Sequence, residues 1–177
     1  LIVNKLKTGM LRKIDELGRI VIPKEIRNTL KLNMGDVVEI LVEDNKVILK
    51  RFSTLLGMEE ELFNICKVIN EFTNCSILFV DNEKIIVSYG KLSQIYIDQE
   101  INPSIYNKIH ANSINKINEC YIISSYLEQR QTLIIPLIVK NNVSGLFILF
   151  ENDKAIAREE YEIINAFRKF IIKNLES

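Results

Sequence analysis

Tryptophan is absent from the 177 residues, histidine occurs once, and cysteine and proline three times each. Each scarcity removes something. One histidine (His110) and three cysteines (Cys66, Cys75, Cys120), without CxxC or Cys/His spacing, argue against a structural zinc site and against a disulfide framework. Such a cysteine set is expected in a reducing cytoplasm. Long apolar runs are missing too: Leu133–Val139 spans seven residues and contains Pro136, whereas a spanning helix needs about 18 or more. No membrane partner is expected, and the first ten residues hold no stretch of signal-peptide length that would mark the chain for export. Neither GxGxxG, a Walker sequence nor HExxH is present, so no cofactor and no metal is expected.

What is present is an ordinary globular composition, 47% apolar, with 23 basic and 23 acidic side chains that cancel. A chain of this length forms one large domain or two small ones. The neutral total hides an asymmetry, because residues 1–52 carry a formal charge of +4 and residues 53–177 one of −4. Within Lys7–Lys31 seven basic residues (Lys7, Arg12, Lys13, Arg19, Lys24, Arg27, Lys31) face three acidic ones (Asp15, Glu16, Glu25). A basic cluster is compatible with a solvated surface and with a polyanion partner alike.

Met10–Ile14 and Arg19–Ile22 are β-prone runs on either side of Asp15-Glu16-Leu17-Gly18, where Gly18 supplies the positive φ of a tight reversal. Pro23 suits the first position of a helix of about two turns, with Glu25 in its first turn and Ile26 and Leu30 on one face. Gly35-Asp36 turns the chain, Val37–Glu43 is a further β run, Asp44-Asn45 a reversal, and Val47–Leu49 runs back. This β-β-α-β-β module of about 50 residues is small for a core of its own, and an intertwined homodimer is the remaining source of stability.

The stretch Lys7–Arg27, with "DELGRIVIPKEIR" at its centre, and Gly35-Asp36-Val37-Val38-Glu39-Ile40 after it, closely resemble the N-terminal DNA-binding domain of AbrB-like transition-state regulators. The resemblance implies a swapped-hairpin dimer that docks on double-stranded DNA mainly through arginines. The family's DNA-contacting positions fall on Arg12, Lys13, Arg19 and Arg27, with Lys5, Lys7 and Lys24 flanking them. A further arginine position of the family is Asn28 here, a departure that weakens one contact. Arginine suits the task because its planar fork bonds phosphate or guanine O6/N7 in pairs. Solubility, or pairing of Arg19 and Arg27 with Asp15 and Glu16, is the bland alternative.

Residues 53–57 read as a short joint. Met58, Leu62, Ile65, Ile69 and Phe72 then mark an amphipathic helix of about 15 residues. Ser76–Val80 and Lys84–Tyr89 are strands about an Asp81-Asn82-Glu83 turn. A helix is expected from Pro103 to about Asn115, then three β runs, Cys120–Tyr126, Thr132–Val139 and Val143–Phe150, and a last helix over Ala157–Leu175. The order predicts an α+β fold with an antiparallel sheet flanked by helices. It resembles a GAF-type sensor domain, on Pro136-Leu137-Ile138, the hairpin Asn142–Phe147, and Asp81 and Gly90 bracketing the first hairpin.

On the last helix Tyr161, Ile164, Phe167, Ile171 and Leu175 form one stripe, which Ile163, Phe170 and Ile172 widen. The stripe fits a helix covering the sheet and one shared with a neighbouring subunit equally well. Cys66 is expected to be a buried packing residue; Cys75 and Cys120 begin strands, and His110 is expected on a helix surface. No catalytic residue is assigned, since a reactive thiol needs a lowered pKa.

AbrB-like front and GAF-like back together resemble sporulation regulators of endospore-forming bacteria. The expected organisation is 1–52 for DNA binding, 53–57 as joint and 58–177 for sensing or oligomerisation. The expected function is a non-enzymatic, cytoplasmic, sequence-specific transcriptional regulator of sporulation-stage genes. It would be a homodimer through the first domain, extended to a homotetramer if the second also pairs. A GAF-like domain also implies an unidentified small-molecule effector, whose pocket is not assigned. The rival is an antitoxin of a toxin–antitoxin pair, which uses the same DNA-binding module but typically follows it with a short disordered toxin-binding tail.

Overall fold

The computed structural model describes residues 9–30, 32, 34, 36–81, 84–91, 93–110, 113–139 and 142–176. The expectations placed on Lys5, Lys7, Lys31, Gly35, Asn82 and Glu83 lie outside the described residues. Contacts divide the chain into two compact units, 1–52 and 53–177.

In the first unit the Asp15–Gly18 reversal forms, with Gly18 at φ +75° and its N–H donating to the Asp15 carbonyl at 2.9 Å. Helix α1 (Lys24–Thr29) follows, preceded by Pro23 in extended conformation, so the helix starts one residue later than expected. Strands β1 (Val38–Glu43) and β2 (Lys46–Arg51) pair antiparallel with Val42 opposite Val47. Asp44 and Asn45 make the two-residue turn, both at positive φ, which matches the twist of the strands it joins. The runs 10–14 and 19–22 do not form a ladder within the chain. Their side chains are exposed apart from half-buried Ile22, Leu11 at 94% and Val21 at 73%, and Ile40 and Val42, two residues apart on β1, are exposed as well. A strand exists only with a partner, and the described residues supply none to those runs.

The second unit is α+β. Its sheet has the order β4-β3-β9-β8-β5, all pairs antiparallel. The strands are β3 (Ser76–Asp81), β4 (Lys84–Tyr89), β5 (Asn115–Ile117), β8 (Thr132–Val139) and β9 (Asn142–Phe150). Alternate residues feed two cores. Ile77, Phe79, Leu133, Ile135, Phe147 and Leu149 pack against α2 (Glu59–Thr73) and α4 (Arg158–Glu176). Leu78, Val80, Ile134, Leu146, Ile148 and Phe150 pack on the other face with Tyr96, Ile101, Ile105 and Ile122. That second cover comprises α3 (Ser93–Tyr96), a 3₁₀ turn (Pro103–Lys108) and the hairpin β6 (Cys120–Ile123)–β7 (Tyr126–Glu128). A sheet buried on both faces explains why β3, β8 and β9 read as nearly unbroken apolar runs rather than alternating ones.

Two expectations in this unit change. The helix expected from Pro103 to Asn115 stops at Lys108, and Ile109 is already extended. The Asn115 side chain is the reason: its Oδ1 accepts from the His110 N–H at 2.7 Å, and its Nδ2 donates to the Ile134 carbonyl at 3.1 Å, drawing the segment onto the sheet as β5. His110 is therefore in an exposed connection, not on a helix. The run Cys120–Tyr126 is two short strands folded about Ser124-Ser125. Residues 53–57, read as a short joint, pack within the second unit: Leu55 is fully buried in the sheet–helix core, and the Ser53 hydroxyl donates to Asp81. Gly145 is required there, because a Cβ would collide with Leu55 and with the Val80 carbonyl. On α4, Ile164 and Ile171 are buried, Phe167 and Leu175 partly so, and Phe170 is 52% exposed.

Candidate nucleic-acid interface

The reversal 15–19 is built by one carboxylate. Oδ1 of Asp15 accepts the N–H of Leu17 at 3.0 Å and of Arg19 at 2.8 Å. Its Oδ2 accepts Nε of Arg19 at 2.8 Å. The backbone closes the same loop, the Asp15 N–H donating to the Arg19 carbonyl at 3.0 Å. These bonds from Arg19, backbone first and guanidinium second, hold the Asp15 carboxyl below its ordinary value although it is exposed. The side chain of Arg19 is 69% exposed.

Arg27, on α1, returns Nη1 to the Ile22 carbonyl at 2.7 Å, so Arg19 and Arg27 are anchored on either side of the short run 20–22. Among the described residues Arg12 bonds the neighbouring Leu11 carbonyl, at 3.2 Å. Lys13, Lys24 and Asn28 are exposed, and no described contact joins Arg12 or Lys13 to the other two arginines. Lys7 lies outside the described residues. The sequence places Asp15 in the reversal and offers it as an alternative partner for Arg19, without assigning its carboxylate the backbone N–H groups of the loop. The Asp-x-x-Gly-Arg spacing, an acceptor side chain followed by a left-handed glycine, was the signal for its role in shaping the loop.

Among its described residues the second unit offers no comparable cationic loop. Cys66, Cys75 and Cys120 are buried thiols, and burial pushes each of them up, away from the thiolate. Among the described residues no three His, Cys, Asp or Glu side chains group as metal ligands. A groove of about 430 Å³ lies between α2, β4 and α3, walled by Phe63, Ile86 and Ile97. The hydroxyl of Ser88, which lines it, is buried without a partner. The opposite side of the sheet is filled: Tyr96 donates to Glu128 at 2.8 Å, and Arg130 grips the same carboxylate with Nε and Nη2, each at 2.7 Å.

Residues 11–51 match the family model described as antidote-toxin recognition MazE, bacterial antitoxin. Stage V sporulation protein T of Bacillus subtilis is 25% identical over 174 residues, which is 96% of this chain and 98% of that protein. The transition state regulatory protein AbrB of the same organism is 56% identical over 45 residues, 25% of this chain and 47% of its own length. The solution structure of the N-domain of the transcription factor abrB is 54% identical, covers 26% of this chain and 88% of that one, and superposes with a TM-score of 0.25. Residues 11–51 are thus similar to the MazE and AbrB domains, at the front of a chain similar over nearly its whole length to stage V sporulation protein T.

Proposed function

We propose that the chain is a sequence-specific DNA-binding transcriptional regulator of sporulation-stage genes, without enzymatic activity, working in the cytoplasm. The observation that carries this is the arginine-bearing loop 15–19, formed by side-chain bonds and exposed, inside the segment 56% identical to a transition state regulatory protein. Arg12, Lys13, Arg19 and Arg27 are the contacts, Lys7 and Lys24 bind phosphate at their flanks, and Asn28 marks a lost one.

Exposed Leu11, Ile14, Ile20 and Val21, on runs without a strand partner, support a swapped-hairpin homodimer in which a second copy completes the β-β-α-β-β module. The second unit is read as a GAF-like module, 58–177, that modulates or oligomerises the first. Phe72 and Phe170, 61% and 52% exposed on α2 and α4, support pairing into a homotetramer. An effector, if the module takes one, has the groove beside Ser88 available. The MazE match supports the antitoxin reading as well. A folded unit of residues 53–177 in place of a disordered toxin-binding tail favours the regulator.

A salt titration tests the proposal. If about 6–10 phosphates are neutralised, affinity for duplex DNA falls by roughly 10³–10⁵ between 50 and 200 mM salt. Negligible binding at low salt would overturn it.

A further inference from the structure

We infer that Asp15 is a specificity-determining positioning residue: by anchoring Nε of Arg19 it presents the free Nη1–Nη2 edge of that guanidinium to DNA. The inference rests on the DNA-binding reading above and names how one contact acquires its selectivity.

A carboxylate on a surface that receives a polyanion weakens attraction for every sequence alike, so its presence needs a compensating role. Both oxygens of Asp15 are spent on its own loop, on the N–H groups of Leu17 and Arg19 and on Nε of Arg19. Gly18, in the left-handed region at φ +75°, turns the chain back far enough for those bonds to close. The two Nη groups of Arg19 make no bond among the described residues. That edge is the fork that reads guanine O6 and N7 together, or two phosphate oxygens. Arg12 and Arg27 differ, since each spends an Nη1 on a backbone carbonyl. Arg19 is therefore the one described arginine of the three held by its inner nitrogen with its outer edge unspent. A side chain already fixed at Nε loses less freedom on docking and offers one orientation, and one orientation discriminates between base edges.

Charge and positioning predict opposite results. Asp15→Asn keeps an oxygen for the N–H groups of Leu17 and Arg19, so the loop persists, but removes the charge that holds Nε. Simple electrostatics then predicts tighter binding to all DNA with selectivity unchanged. Positioning predicts that selectivity falls.

The experiment uses the full chain and two probes, a duplex enriched by the wild-type protein from a random pool and a shuffled duplex of the same composition. Affinities are measured for wild type, Asp15→Asn, Arg19→Ala, the double variant and Arg19→Lys. The expected result is that Asp15→Asn binds the shuffled duplex at least as well as wild type while the ratio between duplexes drops on the order of tenfold. In the double variant the ratio is no lower than in Arg19→Ala alone. Arg19→Lys, which leaves Asp15 and the loop's backbone bonds in place, loses the ratio and keeps shuffled-duplex binding. That variant decides the matter if Asp15→Asn fails to fold. Unchanged selectivity in Asp15→Asn or in Arg19→Lys, while Arg19→Ala loses it, overturns the positioning role. A further drop in the double variant overturns it too, because Asp15 would then act elsewhere. If Arg19→Ala is silent on both duplexes, the DNA-binding reading itself fails, a distinct outcome.

Discussion

The two units are built from similar raw material and use it differently. Both contain hairpins of β-branched residues, yet in the second unit Phe79, Phe147, Leu149 and their neighbours are wholly shielded, while twelve of the twenty large apolar side chains that stand exposed among the described residues lie within the first 52. The second unit has strands enough to bury both faces of its sheet. The first, in its described residues, has one hairpin ladder with side chains exposed on both faces and two runs that join no ladder. Apolar content alone therefore does not tell whether a segment is self-sufficient; the number of elements available to cover it does.

The largest expected contrast comes from separating the units. Residues 53–177 alone should stay folded on dilution, because the unit covers both faces of its own sheet whether or not it pairs with a second copy. A fragment of residues 1–52 should be folded and dimeric at micromolar concentration and lose structure on dilution, followed by circular dichroism and sedimentation. A folded monomeric fragment would break the comparison and the swapped-hairpin reading with it.

Within the second unit, Arg130→Met should cost about 3–5 kcal/mol, since it strands a buried carboxylate. The pH dependence sharpens this. Burial alone would raise the Glu128 carboxyl, but hydrogen bonds from Arg130 and Tyr96 override it and the net shift is downward. In the wild type this stability is present above the ordinary glutamate value of 4.5 and is lost as pH falls through the lower folded value. In Arg130→Met burial dominates, so stability at Glu128 should instead fall as pH rises through the carboxyl's raised value. Thermal melts of both proteins across the acid range measure the reversal.

Smaller is the effect of filling the space at Gly145. Gly145→Ala should destabilise the second unit by about 1–3 kcal/mol, because the obstacle includes the Val80 backbone as well as Leu55. In the first unit a Cβ at Gly18 meets nothing within 4 Å, so a substitution there costs only the strain of its positive φ. Smallest of all, Asn28→Arg restores a cation on the exposed face of α1. It should steepen the salt dependence of DNA binding by about 0.9 per added phosphate contact, with thermal stability unchanged.

Much of this architecture was legible in the sequence because period and length coincide in its long elements. The spacing of Met58 to Phe72 gave α2, and the runs at 76–80, 84–89, 132–139 and 143–150 gave four of the five strands of the main sheet. The middle of the second unit was not legible. There Asn115 and the serine pair at 124–125 set the path by local bonds and turns, which periodicity does not register. The same is true of the candidate site: the basic cluster showed in the charge count, whereas the bond from Nε of Arg19 to Asp15 depends on how one loop closes.

The boundary between the units has its own consequence. The Phe52 N–H is bonded to the Val37 carbonyl, and the next residue, Ser53, is bonded to Asp81 and accepts the Leu55 N–H. No stretch of unbonded chain separates the two, so a protease, which must draw several extended residues into its cleft, finds no ready substrate there. Cutting just before Ser53 has to wait until β2 lets go of β1. The rate of that single nick, followed over time at different dilutions, would then serve as a clock for how often the front of the molecule comes apart.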